Sequence, residues 1–173
     1  VHDVTTMNEL AANLHENVNS AITVYGEPWT GGTIALSGTA ASQTNMNRFE
    51  GYGQFNDKIR DALIKGGLNA ATSKGWVTNN STVNATDVNE LINGFKGITL
   101  SKETDPSKSV SYVTCHDNYT LYDRIRASGT TNEVLVKRMA MLANSCVFTS
   151  QGISFMLAGE EMLRTKGGDS NSY

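Results

Sequence analysis

Apolar residues follow a helical period in some stretches of the chain and run without interruption in others. Five of them, Met7, Leu10, Ala11, Leu14 and Val18, recur at helical spacing and predict an amphipathic helix over about 6–19. Thr6 and Glu9 form a capping-box pattern at its start. Residues 21–25 and 153–157, by contrast, are continuous apolar runs, which are typical of buried strands in a parallel sheet.

A third strand is predicted in "SVSYVTCHDN" (109–118), and a fourth in the short "GQFND" (53–57). Further helices are predicted from an Asp57 cap, from Asp87, around 121–125 and over 132–149. The last of these carries the predicted inward stripe Leu135, Met139, Leu142 and Cys146. Residues 30–53 lack periodicity and predict a long loop, a kind of segment that is usually functional in a compact domain.

Composition limits the protein classes that remain. The 173 residues are 39% hydrophobic and 18% charged, which indicates one globular domain. The net charge of -3, without a basic run, argues against nucleic-acid binding, and no apolar stretch reaches the roughly 20 residues of a membrane helix. Cys115 and Cys146 have no metal-ligand spacing; we interpret them as buried thiols, with a disulfide as the less favoured alternative.

Acidic residues follow three of the predicted strands: Gly26-Glu27, His116-Asp117 and Gly159-Glu160-Glu161. Reactive groups occupy the carboxyl ends of strands in (β/α)8 barrels and also in doubly wound sheets. No G-x-G-x-x-G or P-loop pattern favours a nucleotide-binding fold. The strand ends alone therefore leave both architectures open.

Four blocks resemble successive segments of the type I pullulanases, debranching members of the α-amylase superfamily (glycoside hydrolase family 13). The blocks are "YGEPWTGG", "FNDKIRDALIKGG", "SYVTCHDNYTLYDRI" and "FMLAGEEMLRTKGGDSNSY". The resemblance implies an α/β fold, the second half of a (β/α)8 TIM barrel, with parallel strands five to eight and their helices. Residues 1–173 would then be a partial catalytic domain of a longer enzyme, as the start at Val1 also suggests.

The same resemblance implies roles for individual residues. Glu27 matches the general acid/base, Asp117 the carboxylate that stabilises the transition state, and His116 a group that hydrogen-bonds the same sugar. Trp29 is expected to form part of a sugar platform, with Asn118 and Tyr119 on the other wall. The family's aspartate nucleophile would precede this sequence, and Asp3 does not match it.

The predicted function is retaining hydrolysis of α-1,6-glucosidic linkages in pullulan or branched α-glucans, with the isolated chain inactive. Alternatives are an isoamylase-like or amylase-like hydrolase, a non-catalytic α-glucan-binding domain, and an unrelated α/β domain. The sequence requires no cofactor and no metal; a calcium site occurs in the superfamily, but no ligand cluster indicates one. The low charge and the Asn/Ser/Thr-rich loops favour a secreted or surface protein.

Structural roles are expected for the remaining acids. One of Glu160 and Glu161 is predicted to bond a neighbouring loop or Arg164, and the other to be solvated. Asp57, Arg60 and Asp61 are interpreted as a helix start with an internal ion pair. The isolated chain is also expected to self-associate through its two open sheet edges.

Overall fold

The computed structural model describes residues 2–30, 38–67, 72–78, 84–100 and 102–172. Within those ranges the chain forms four short strands, five α-helices and three short 3₁₀ helices. In chain order the α-helices and strands are α1 (Val4–Asn17), β1 (Tyr25–Gly26), β2 (Gly53–Phe55), α2 (Asp57–Ile64), α3 (Ala85–Phe95), β3 (Ser109–Ser111), α4 (Leu121–Ala127), α5 (Glu133–Thr149) and β4 (Ile153–Ser154).

The four strands form one parallel sheet in the order β1-β2-β3-β4. Tyr25 pairs with Gly53, Gln54 with Ser109, and Val110 with Ile153. Parallel neighbours need a crossover connection, and here α2 and α3 lie between β2 and β3 while α4 and α5 lie between β3 and β4. This topology confirms the predicted α/β class with parallel strands.

The two faces of the sheet have different surroundings. On one face the helices bury an aliphatic cluster that includes Ile59, Leu63, Val113 and Val136, and the Ser154 hydroxyl donates to the Val147 carbonyl of α5. The opposite face carries an aromatic cluster of Phe55, Tyr112 and Phe155, with Tyr25 against its rim. A separate small core packs α1 against the 3₁₀ helix Gln43–Arg48.

The outer strands are shorter and more exposed than predicted. Of the run 21–25 only Tyr25 lies within a strand, and it remains 48% exposed; of 153–157 only Ile153 and Ser154 lie within a strand. Each outer strand has a neighbour on one side only among the described residues, so half of its backbone and much of its side-chain surface stay uncovered. The prediction of two fully buried strands at these positions is wrong, whereas the two open sheet edges were expected.

Helices α1, α2 and α3 begin earlier than predicted because a short polar residue upstream caps each one. Asp3, not Thr6, caps α1 by accepting from the Thr6 amide at 2.9 Å. Asn56, not Asp57, caps α2, and Asn84 starts α3 ahead of the predicted Asp87. Asp and Asn side chains satisfy the first unpaired amides equally well, so the sequence offered several adjacent candidates.

Helix α5 matches its predicted range, but its buried face is partly different. Met139 and Cys146 are buried as predicted, while Leu135 and Leu142 are each 43% exposed. Val136, Ala140, Ala143 and Val147 take their place in the core. Alanines facing the sheet allow a helix to approach closely, and this rotates the larger leucines outward.

Two further expectations concern the loop and the thiols. The predicted loop 30–53 contains the 3₁₀ helix Gln43–Arg48 and a single bridge between Asp3 and Ala40, and its residues 31–37 lie outside the described ranges. Cys146 is a buried free thiol, as predicted; Cys115 is also free, but it is half-buried.

No helix in the described part of the chain has the length and apolar character needed to cross a bilayer.

Candidate active site

Three residues from two strand ends meet at the carboxyl edge of the sheet. Glu27 directly follows β1, and the turn with His116 and Asp117 follows β3. Parallel strands end on the same edge, so residues far apart in sequence come together there. The structure thus brings together the two predicted catalytic carboxylates and the predicted histidine.

The distances define a compact group. His116 Nε2 lies 3.7 Å from Glu27 Oε1 and 3.5 Å from Asp117 Oδ1, and one ligand atom from each residue falls within 4.8 Å of the others. The side chains of Glu27, His116 and Asp117 are 51%, 61% and 35% exposed. An imidazole between two carboxylates at an open surface can donate to, or accept from, a polar ligand such as a sugar hydroxyl.

The loop after β4 braces the His-Asp turn. Lys166 Nζ donates to the His116 carbonyl at 3.0 Å. At the start of α4, the buried Asp123 carboxylate accepts from the Thr165 hydroxyl at 2.6 Å and from the Lys166 amide at 2.7 Å. Burial alone would raise the pKa of Asp123, but these bonds and one from Thr120 outweigh it and hold the pKa below its usual range.

Trp29 forms a wall of the pocket that contains Glu27 and Asp117. The indole ring stacks on the ring of Phe55 with centroids 6.2 Å apart and planes at 20°, and the tryptophan as a whole is 38% exposed. Trp29 Nε1 donates to Asp57 Oδ2 at 3.4 Å. The pocket is also lined by Arg60, Tyr112 and Ser170.

The other two predicted substrate-binding residues differ in position. Asn118 lines the same pocket as Glu27, and its backbone is left-handed with φ of 62°, a conformation that Asn tolerates. Its buried Oδ1 has no hydrogen-bond partner among the described residues. Tyr119 lies in an adjoining cleft with Asn118 and Asp117, away from Glu27. Asn118 and Tyr119 thus share the adjoining cleft, only Asn118 also lines the pocket of Trp29, and their role in substrate binding stays a prediction.

Asp57 and Arg60, interpreted from sequence as structural, also line the pocket. Asp57 does form the expected ion pair, with its Oδ1 2.7 Å from Arg60 Nη1, yet it also accepts from the hydroxyl of Tyr112 at 2.6 Å. Burial, opposed by Arg60 and reinforced by Asp57, raises the pKa of Tyr112. The signal was available, because Asp57 stands two residues after β2, close to the position that Glu27 occupies directly after β1.

The third acidic strand end does not reach the site. Glu160 is 3% exposed and accepts from the hydroxyl of Thr114, three residues beyond β3, while its Oε2 has no partner among the described residues. Burial raises the pKa of Glu160 to about 7. Glu161 is exposed and accepts from the Gly159 amide. One acid bonding a neighbouring loop and one solvated acid were the predicted arrangement.

Two chemical capacities of the site follow from its donor set. Glu27, His116 and Asp117 could together hold one metal ion, and carboxylates with imidazole suit zinc better than calcium. Cys115 lies on the pocket wall, and burial raises the pKa of its thiol. A thiol that remains protonated is a poor nucleophile.

Fold and site together define an α/β protein that gathers carboxylate, imidazole and indole groups at the carboxyl edge of a parallel sheet. The chain is 33% identical over 158 residues to the pullulanase of Bacillus subtilis (strain 168), and 32% identical over 200 residues to the chloroplastic pullulanase 1 of Arabidopsis thaliana. These matches cover 88% and 89% of the chain. The chain is thus related to the pullulanases along nearly its whole length, which confirms the resemblance predicted from its motifs.

Solved structures agree with this relationship. The pullulanase from Bacillus acidopullulyticus superposes with a TM-score of 0.83 and 41% identity, covering 98% of this chain and 20% of that one. A pullulanase from Anoxybacillus sp. LM18-11, complexed with maltotriose, gives a TM-score of 0.86 and 28% identity, covering 99% and 24%. The chain spans about a fifth of the length of the curated relatives it matches. No protein-family model matches the sequence.

Proposed function

We propose that this chain is the second half of the catalytic (β/α)8 barrel of a retaining glycoside hydrolase that cleaves α-1,6-glucosidic linkages in pullulan or branched α-glucans. The observation that carries the proposal is the meeting of Glu27 and Asp117, from the ends of β1 and β3, around His116. Relatives solved with maltotriose and maltotetraose support an α-glucan as the ligand.

The barrel assignment is supported by the four parallel strands in sequential order and by the aromatic face opposite the helices. In a closed barrel, one face of each strand packs against the outer helices and the other fills the interior. Phe55, Tyr112 and Phe155 occupy the interior position, and β1 to β4 take the places of strands five to eight. A full barrel needs about 250 residues, so the first four strands come from elsewhere.

Each site residue has a chemical task in this proposal. Glu27 protonates the glycosidic oxygen as the bond breaks, and later removes a proton from the attacking water. Asp117 and His116 bind the sugar that develops positive charge in the transition state. The exposed face of Trp29 stacks on a glucose ring, and Asn118 and Tyr119 bind at the Asp117 end. The nucleophilic carboxylate is contributed by residues outside this sequence, so the 173-residue chain alone does not hydrolyse glucans.

The test uses the longer protein that carries this segment. Glu27→Gln preserves shape and removes the transferable proton, so we expect kcat on pullulan to fall about 10²- to 10⁴-fold, the usual worth of general acid catalysis. Glu161→Gln, at an exposed carboxylate outside the pocket, is the matched control and should leave kcat unchanged. Near-full activity of Glu27→Gln on pullulan would remove Glu27 from this role.

Product analysis separates the proposal from its alternatives. Release of maltotriose from pullulan marks cleavage of α-1,6 linkages, whereas activity on linear amylose alone would mark an amylase-like enzyme. Retardation in gels containing glycogen, with no product from any glucan, would identify a binding domain without hydrolase activity. Neither retardation nor product would mean that a relative of the pullulanases had lost both activities, and would contradict the proposal.

A further inference from the structure

We propose that Asp57 is a positioning residue that fixes the Trp29 wall and ties together the loops that carry Glu27 and Asp117. The Asp57 side chain is 17% exposed, and both of its oxygens are occupied. Oδ1 faces the Tyr112 hydroxyl and Arg60 Nη1, and Oδ2 faces Gln43 Nε2 at 2.7 Å and Trp29 Nε1 at 3.4 Å.

These partners come from four separate parts of the chain. Trp29 follows β1, Gln43 starts a 3₁₀ helix, Arg60 lies in α2, and Tyr112 directly follows β3. One carboxylate therefore links the segment that carries Glu27 to the segment that leads into His116 and Asp117. The network is closed, because Arg60 Nη1 also donates to the Tyr112 hydroxyl at 2.7 Å.

A carboxylate is the side chain that this position requires. It accepts at both oxygens and donates at neither, which matches donors on both sides. An asparagine of the same shape would turn its own N–H groups towards one pair of those donors. Asp57→Asn therefore either releases Gln43 and Trp29 or releases Tyr112 and Arg60.

The orientation of Trp29 depends on this bond. Phe55 supports one face of the indole, but a ring stack leaves the ring free to slide, and the Asp57 bond fixes its edge. The exposed face then lies in the pocket with Glu27 and Asp117. Under the proposed function, on which this step rests, the indole face is already oriented when the sugar binds.

The first test uses the unchanged 173-residue chain and no ligand. We expect the Trp29 indole proton, followed by nitrogen-15 NMR, to exchange with solvent more slowly than the same proton in the urea-unfolded chain. Exchange at the unfolded rate would overturn the proposal. This measurement needs no variant to fold, and it tests whether the indole edge is held in the folded chain even if the chain binds no glucan.

The second test compares Asp57→Asn with Asp61→Asn. Asp61 also pairs with Arg60, at 2.8 Å, but the structure gives it no bond to Trp29, Gln43 or Tyr112, so it is the matched control. Immobilising one side chain is worth about 2- to 10-fold in affinity, so Asp57→Asn should weaken maltotriose binding by that factor and speed indole exchange. Asp61→Asn should do neither; equal effects of the two variants would reduce Asp57 to a structural ion pair. Absence of maltotriose binding by the longer protein that carries this segment would count against the proposed function and leave the exchange result standing.

Discussion

The carboxyl group of Glu160 lies in a buried position where its charged form is poorly solvated. The side chain is almost fully buried, one oxygen bonds Thr114, and burial raises the pKa of the group to about 7. In the unfolded chain a glutamate ionises near pH 4.5. Between these values the unfolded state loses its proton first, so the folded state becomes progressively less stable as the pH rises from about 4.5 to 7.

This predicts that Glu160→Gln stabilises the protein, and more so at high pH. The amide retains an acceptor for Thr114 without a charge to desolvate. At 1.36 kcal/mol per pKa unit, the gain at pH 8 should exceed the gain at pH 4.5 by about 3 kcal/mol. Urea unfolding at the two pH values measures it, with Glu161→Gln as the exposed control. A gain that is the same at both values would mean that Glu160 ionises normally in the folded chain.

Helix caps connect individual residues to whole elements of this fold. Asn56 caps α2 by accepting from the Lys58 amide, and its Nδ2 also donates to the Ile98 carbonyl and to Ser109 on β3. It is fully buried. Asn132 caps α5 by accepting from the Leu135 amide, but it lies exposed at the surface. The two residues therefore provide the same cap with very different surroundings.

We expect Asn56→Ala to lower the free energy of unfolding by about 2–4 kcal/mol, because it removes a cap and leaves buried groups unpaired. Asn132→Ala should cost about 1 kcal/mol, the cap alone. Chemical denaturation of both variants gives the comparison. Similar losses for the two would show that the bonds from Asn56 to β3 and to Ile98 contribute little.

Elements were more predictable than their ends and faces. Helical spacing located α1 and α5, because the apolar residues on the buried face of a helix recur at a fixed interval in the local sequence. The choice between Leu135 and Val136 as the inward residue of α5 is set by the sheet it packs on, which periodicity does not encode. At the candidate site, the grouping of Glu27, His116 and Asp117 was predictable from sequence, because these residues follow predicted strands. The Trp29–Asp57 bond was not, because it joins residues 28 positions apart and depends on the tertiary fold.

At the scale of the molecule, β1 and β4 each present an edge that pairs with no other described strand. Unpaired edges favour association with another chain. No apolar side chain of a described helix packs on the aromatic cluster around Phe55, and Tyr25 and Trp29 remain exposed beside it. Both features are what the second half of a barrel would show when separated from the first.

We therefore expect the 173-residue chain to self-associate in solution. Tyr25→Lys places a charge on the exposed edge strand and should shift the population towards monomer. Val18→Lys, a matched substitution at an exposed residue just beyond α1, should not. Sedimentation velocity over a range of concentrations gives the masses. A wild-type chain that is monomeric at every concentration would contradict the expectation.

Cys115 lies on the wall of the pocket that contains Glu27 and Asp117. The thiol is half-buried in the pocket wall, two residues from Asp117, whereas Cys146 lies on the buried face of α5. Alkylating reagents attack the thiolate, so the raised pKa of Cys115 makes its modification slow at neutral pH and faster in alkali. A maleimide dye would therefore mark the pocket under mild base, and a saccharide lodged there would shield the sulfur. Under the proposed function, labelling of Cys115 would report the occupancy of the pocket without any change to Glu27 or Asp117.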